Sequence, residues 1–303
     1  MTTTAPKPCL KWVGGKTQIL NDVFALFPTS IESYHEPFVG GGSVLIEFLN
    51  RVRAGTIQLT GSVYASDLNP HLIAMYKVIQ SNPDGLINAL RTLTAAFTAA
   101  AAGTTVNRKP TTQEEAATSQ ESYYYWIRSQ FILDHSLTPV QRAAMFIFLN
   151  KTCFRGVYRE GPRGFNVPFG HYKNPGVYDE PAIRSLSTLI ANVIFTHAPF
   201  TQSMALAKKG DFMYLDPPYA PVDSKSFTGY TAAGFDADAH STLFKAVAAL
   251  RPAGVSAVMS NADVELVKKA FPSPSYTTIV INCKRSIHSK DPAHRVNEVL
   301  ISN

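Results

Sequence analysis

The stretch IESYHEPFVGGGSVLIEFLNR, close to the amino terminus, narrows the choice of fold more than any other part of the chain. A short β-prone run breaks at Gly40, Gly41 and Gly42, after which Val44, Leu45, Phe48 and Leu49 recur at helical spacing. This is strand, glycine turn, helix. A second apolar run follows and ends at Asp67, where Asn69 can cap a helix whose first residue is Pro70. Two βα units in succession predict a parallel sheet, because each strand needs a crossover helix to return to the same edge.

The text then changes. From residue 83 it is helical and rich in alanine and leucine, interrupted by AAAAGTTVNRKPTTQEEAATSQ, which reads as a mobile excursion. SYYYWIRSQFI and TPVQRAAMFIFLN read as helices, and KTCFRGVYREGPRGFNVPFGHYKNP as a basic, glycine- and aromatic-rich loop or hairpin. From about residue 184 the alternating pattern resumes, with strands at NVIFTH, DFMYL, SAVMSN and YTTIVI. The expected architecture is therefore α/β, with a helical, hairpin-containing insertion.

The strand DFMYL is stopped by Asp216, Pro217, Pro218 and Tyr219. Proline lacks an N–H and pushes the preceding residue out of helical conformation, so the strand ends there in a stiff turn. That turn presents Asp216 and Tyr219 at the sheet's carboxyl edge, where open α/β sheets bind ligands. Gly40 to Gly42 occupy an equivalent edge and allow a ligand close to the backbone. Asp67, ending the next strand, is placed to accept hydrogen bonds from ribose hydroxyls; its bland role is to favour the dipole of the following helix. The glycines are too compact for a dinucleotide fingerprint, and KWVGGKT lacks the first glycine of a phosphate loop, since Leu10 stands there. An adenosine cofactor the size of S-adenosylmethionine fits these constraints.

A net charge of +6 with a pI near 9.1 favours a polyanionic partner. Cys9, Cys153 and Cys283 are too scattered for a disulfide framework or a metal cluster. No run reaches membrane-span length and the N-terminus lacks a signal-peptide core, so a cytoplasmic, non-secreted protein without bound metal is expected.

Taken in order, KWVGGK, EPFVGGGSV, SDLN, FLNKTCFRGVYREGPRGFNVPFGHYKNP, YLDPPYAP, SNAD and KRSI resemble the Dam-type (D12 class, alpha group) DNA adenine-N6 methyltransferases over nearly the whole chain. The resemblance implies a Rossmann-like S-adenosylmethionine-dependent catalytic domain at residues 1–80 and 175–303. A target-recognition domain would be inserted at residues 81–174. Trp12, Gly15, Lys16, Pro37, Phe38, Gly40, Gly42, Ser43, Asp67, Leu68 and Asp216 would hold the cofactor. Double-stranded DNA is the implied partner, with a cognate restriction endonuclease acting on the same site as a further one.

The chemistry implied is demanding, because the adenine amino lone pair is delocalised into the ring and the base is inaccessible inside a duplex. The base is flipped out. Asp216 and the Pro217 carbonyl would accept its amino hydrogens, Pro218 would stiffen the turn and Tyr219 would stack on the ring. Holding amine and methyl in line is worth roughly 7–11 kcal/mol. Direct attack needs no covalent enzyme adduct, so Cys153 is assigned to packing.

Residues 151–173 hold five Lys or Arg against one acid, Glu160. Phe154 is placed as a wedge, Arg155 as a contact to the orphaned base, Arg159 as a reader of guanine and Lys173 as a phosphate contact. Val157, Pro168 and His171 are further candidates, and Lys284, Arg285 and Ser286 are phosphate contacts by resemblance. The chain departs from many family members at Arg155-Gly156, at Arg159-Glu160-Gly161, at His171 and in the extra length of residues 98–119. These departures lie where DNA sequence is read, so the resemblance implies the reaction but not the recognised site. Without it, the Asp-Pro-Pro-Tyr turn leaves RNA or a protein amide open as acceptor, and a binding module without catalysis as a third reading.

Overall fold

A computed structural model describes residues 6–221, 235–284 and 295–303. The chain divides into two compact units, one formed by Met1–Gly15 and Asn69–Ala191, the other by Lys16–Leu68 and Asn192–Asn303.

The second unit is built on a seven-stranded sheet. In chain order its strands are β1 (Tyr34–Glu36), β2 (Val63–Asp67), β3 (Val193–His197), β4 (Phe212–Leu215), β5 (Ser256–Ala262), β6 (Thr277–Lys284) and β7 (Arg295–Ser302). Their spatial order is β6-β7-β5-β4-β1-β2-β3, and every pairing from β3 to β5 is parallel, while β7 runs antiparallel to both its neighbours. This is a Rossmann-like α/β sheet. All four residues of β4 are buried, which is why that strand reads as a continuous apolar run rather than an alternating one. The chain leaves β1 toward β2 on one side and β4 lies on the other, so the order reverses between β1 and β4. Ligands bind at such a switch point, beyond the carboxyl ends of the strands.

The first unit is helical. Pro70–Ser81 starts on the Asn69 cap, whose side chain accepts from the His71 and Leu72 amides. Pro139–Thr152 starts on a capping box between Thr138 and Gln141. Between them lie Pro83–Ala99 and Gln120–Leu133, and after them a short hairpin, Glu160–Gly161 paired with Gly164–Phe165.

The stretch 99–120, expected to be a mobile excursion, is instead pinned by bonds to helix Gln120–Leu133 and within itself. Ser122 Oγ accepts from the Asn107 amide at 2.8 Å, and Glu115 Oε2 accepts from the Thr111 amide at 2.7 Å. Pro110 and Ala116 are buried. Gly103 allows the crossing, since a Cβ there would meet the Thr118 carbonyl oxygen at 2.0 Å. The low-complexity composition concealed these anchors because Ser122 and Glu115 are lone side chains that carry no motif.

Candidate active site and nucleic-acid interface

In the second unit, the loop after β1 carries the glycines. Gly40 and Gly42 have φ of 47° and 73°, a left-handed conformation that a Cβ would strain. Gly42 is the N-cap of helix Ser43–Arg53 and contributes no side-chain cap. The Gly40 amide donates to Asp67 Oδ2 at 3.0 Å, so the acid ending β2 also ties the loop to its neighbouring strand. Leu68, next to it, is 54% exposed. Phe38 stacks on Phe200 with ring centroids 5.5 Å apart, and Pro37 is buried.

The Asp-Pro-Pro-Tyr turn follows β4, immediately beside β1 in the sheet. Asp216 Oδ2 lies 2.7 Å from Lys16 Nζ; their side chains are 21% and 5% exposed. The Lys16 amide donates to Ser43 Oγ at 3.0 Å, and its Nζ sits 5.1 Å from the centroid of the Tyr219 ring. Lys16, Ser43, Asp216 and Tyr219 are thus brought together. Burial raises the Asp216 carboxyl above its usual range, Lys16 opposes the shift and Glu298 reinforces it. Burial likewise pushes Glu36, at the end of β1, up to about 8, although it accepts from the Tyr34 hydroxyl at 2.6 Å and from the Leu45 amide.

Two residues of this site escaped the sequence reading. Glu298 on β7 accepts from the Tyr219 hydroxyl at 2.8 Å. Asn261 on β5 accepts the Ala220 amide at 2.9 Å, and among the described residues its Nδ2 has no hydrogen-bond partner. The register sets Glu298 opposite Ala262 and Val299 opposite Asn261, so adjacent strands grip adjacent residues of the turn. A lone acid and a lone asparagine on late strands carry no motif; the only hint was SNAD within the family-like order.

Trp12 and Gly15 belong to the first unit, where Trp12 stacks on Tyr158 at 5.9 Å and Gly15 donates to the Trp12 carbonyl. The basic loop is closed at its neck by Phe154 N–H to Pro168 O and Gly170 N–H to Thr152 O, both 2.8 Å. Buried Asn150, also missed from sequence, donates to the carbonyls of Lys11 and Gly156 and accepts the Lys11 amide. So held, the loop exposes Phe154 (49%), Arg155, Arg159, Pro168, His171 and Lys173, while Val157 is half-buried. Arg155 and His171 have φ of 57° and 52°, unusual for residues with a side chain. Arg159 Nε donates to Asn166 Oδ1 at 2.6 Å across the hairpin. Lys284 ends β6; Arg285 and Ser286 lie outside the described residues.

Burial raises all three thiols: Cys9 and Cys283 to about 11, and Cys153 to about 12. Among the described residues no His, Cys, Asp or Glu group is arranged for a metal ion, and no helix is long and apolar enough to cross a membrane.

The family model for D12 class N6 adenine-specific DNA methyltransferases matches residues 12–287. The chain is 35% identical to the type II methyltransferase M.MjaIII of Methanocaldococcus jannaschii, covering 98% of this chain and 99% of that one. It is 28% identical to the type II methyltransferase M1.LlaDCHI of Lactococcus lactis, over 98% of this chain and 95% of the other. With the DNA adenine methylase of Escherichia coli the identity is 30%, over 96% of this chain and 93% of the relative.

Proposed function

Because the chain belongs to the D12 class of N6 adenine-specific DNA methyltransferases, and so methylates adenine in DNA with S-adenosylmethionine, we propose how its residues divide that work. The acceptor is DNA rather than the RNA or protein amide that the Asp-Pro-Pro-Tyr turn left open. The second unit binds cofactor and performs the transfer. The first unit, with residues 81–174 at its heart, recognises the target.

The donor set suits S-adenosylmethionine. A glycine turn free of Cβ atoms admits a ligand to the backbone, Asp67 offers a carboxylate for ribose hydroxyls and exposed Leu68 offers an apolar surface for a purine. Pro37, Phe38, Gly40, Gly42 and Ser43 complete that wall and Lys16 of the same unit assists it, while Trp12 and Gly15 are cofactor residues by the family resemblance. The cofactor supplies an electrophilic methyl group when bound. Asp216 and the Pro217 carbonyl accept the two hydrogens of the adenine amino group, concentrating its lone pair on nitrogen, and the Asp216 charge offsets the positive charge that develops there. Tyr219 stacks on the flipped base. Its hydroxyl is held by Glu298 and the following residue by Asn261, so the ring is oriented before the base arrives. Lys16 neutralises Asp216 in the absence of substrate. Attack on the methyl is direct, because the adenine nitrogen supplies its own lone pair and no covalent enzyme adduct is needed.

On the first unit, Phe154 fills the gap left by the flipped base and Arg155 reaches its orphaned partner. Arg159, Val157, Pro168 and His171 read base edges; Lys173, with Lys284, Arg285 and Ser286 of the second unit, contacts phosphates. The relatives named type II methyltransferases support pairing of this enzyme with a restriction endonuclease of the same specificity.

The observation that carries this reading is the Asp216 carboxylate at the switch point, in reach of one cation and flanked by an anchored tyrosine. Expression in a host without adenine methylation, followed by sequencing of modified adenines, will reveal the target. Asp216→Ala should leave the fold intact and nearly abolish transfer. Retention of more than about a tenth of the single-turnover rate, a barrier change below roughly 1.4 kcal/mol, would exclude the role given to Asp216.

A further inference from the structure

The extra length that the family resemblance marks at residues 98–119 has no role in cofactor binding or methyl transfer. Its anchors hold one tip outward: Asn107 is tied to Ser122 and Glu115, and Pro110 is buried, which leaves Arg108 and Lys109 exposed between them. Arg108 is 67% exposed, yet its Nε is fixed by Glu121 Oε1 at 2.6 Å. The other oxygen of the same carboxylate, itself almost wholly buried, lies 3.8 Å from Nε2 of His171, whose side chain is 66% exposed. One acid therefore fixes Arg108 of the extra segment and lies close to His171 of the recognition loop, which places the two side chains next to each other on the surface of the same unit.

We infer that Arg108 is a backbone contact to duplex DNA, extending the recognition surface of residues 154–173 past His171 onto the phosphates flanking the target site. The partner follows from charge complementarity and continuity. A guanidinium held by one nitrogen keeps its remaining N–H groups for a phosphate oxygen and loses less side-chain freedom on binding than an unanchored arginine. Nothing about base identity is asked of Arg108, because phosphate contacts position a protein without reading sequence. Lys109 adds charge to the same tip. The extra segment thus increases affinity for DNA of any sequence while the hairpin chooses among sites.

This inference rests on the assignment of residues 154–173 to DNA, so the experiment separates the two. Equilibrium binding of the full-length enzyme to a duplex containing its methylated site is measured from 0.05 to 0.3 M salt for wild type, Arg108→Ala, Arg108→Lys and Lys173→Ala. Loss of one phosphate contact lowers the slope of log K against log salt by about 0.9 and weakens binding roughly tenfold at 0.05 M salt. Arg108→Ala should show both effects, with S-adenosylmethionine affinity, base preference and the single-turnover rate at saturating DNA unchanged; Arg108→Lys should restore the slope. If Lys173→Ala lowers the slope and Arg108→Ala does not, the inference is wrong and the hairpin assignment stands. If neither variant lowers it, both are wrong. An Arg108→Ala protein that changes base preference instead would make Arg108 a sequence reader and also overturn the inference.

Discussion

Glu36 provides a test of the electrostatics beneath the site. Its carboxyl is buried at the end of β1, accepts from the Tyr34 hydroxyl and the Leu45 amide, and is pushed up to about 8 by desolvation, with the Asp216 charge adding to the rise. In the unfolded chain a glutamate titrates near 4.3. Between those values the native protein holds a proton that the unfolded chain has released, so stability must fall as pH rises through this window, by up to 1.36 kcal/mol per unit. The contribution is fully retained below the unfolded value and is lost as pH climbs to about 8. Integrated from pH 5 to 8, the loss is roughly 3–4 kcal/mol. Glu36→Gln removes the titration while keeping an uncharged side chain of the same shape, with an oxygen for the Leu45 amide and an N–H for the Tyr34 hydroxyl. Urea unfolding of both proteins across pH 5–8 isolates this group together with its coupling to Asp216, because titrations that do not interact with Glu36 cancel in the difference. The variant should gain roughly 3–4 kcal/mol relative to wild type over that range. A difference constant to within about 1 kcal/mol would mean that Glu36 titrates near its ordinary value and that burial does not govern it.

Asp67→Ala should weaken S-adenosylmethionine binding about tenfold or more, the worth of a charged hydrogen bond, while leaving DNA affinity at saturating cofactor little changed; unaltered cofactor affinity in calorimetry would confine Asp67 to fastening Gly40. Arg159→Ala should flatten the preference at one guanine position by roughly 1–3 kcal/mol in a panel of substituted sites, whereas Lys173→Ala should weaken all sites alike. An intact base preference in the first variant would make Arg159 a phosphate contact and move attention to Arg155, Val157, Pro168 and His171. Tyr219→Phe and Glu298→Ala should each reduce the fluorescence change of 2-aminopurine at the target position and lower the transfer rate by about 1–2 kcal/mol. Combined, they should lose little more than either alone; additive losses would show that the 2.8 Å bond does not orient the ring.

What could be read from sequence alone was local backbone chemistry. Prolines stop β4 at Asp216, Gly40 and Gly42 open the turn after β1, and Asn69 with Pro70 starts a helix, because each of these residues restricts or frees its own dihedrals or caps its own neighbours. The apolar periodicities of the parallel strands and of the inserted helices were legible for the same reason. Pairings between remote side chains were decided only by tertiary structure. Lys16 and Asp216 are 200 residues apart, Tyr219 and Glu298 are 79, and Ala220 and Asn261 are 41. Which of them meet depends on strand order and register, and a sheet in which β7 enters antiparallel between β5 and β6 is specified by the fit of whole strands, not by any one residue. The same holds for Glu121, which reads as an unremarkable first-turn acid until folding brings Arg108 from one side and His171 from the other.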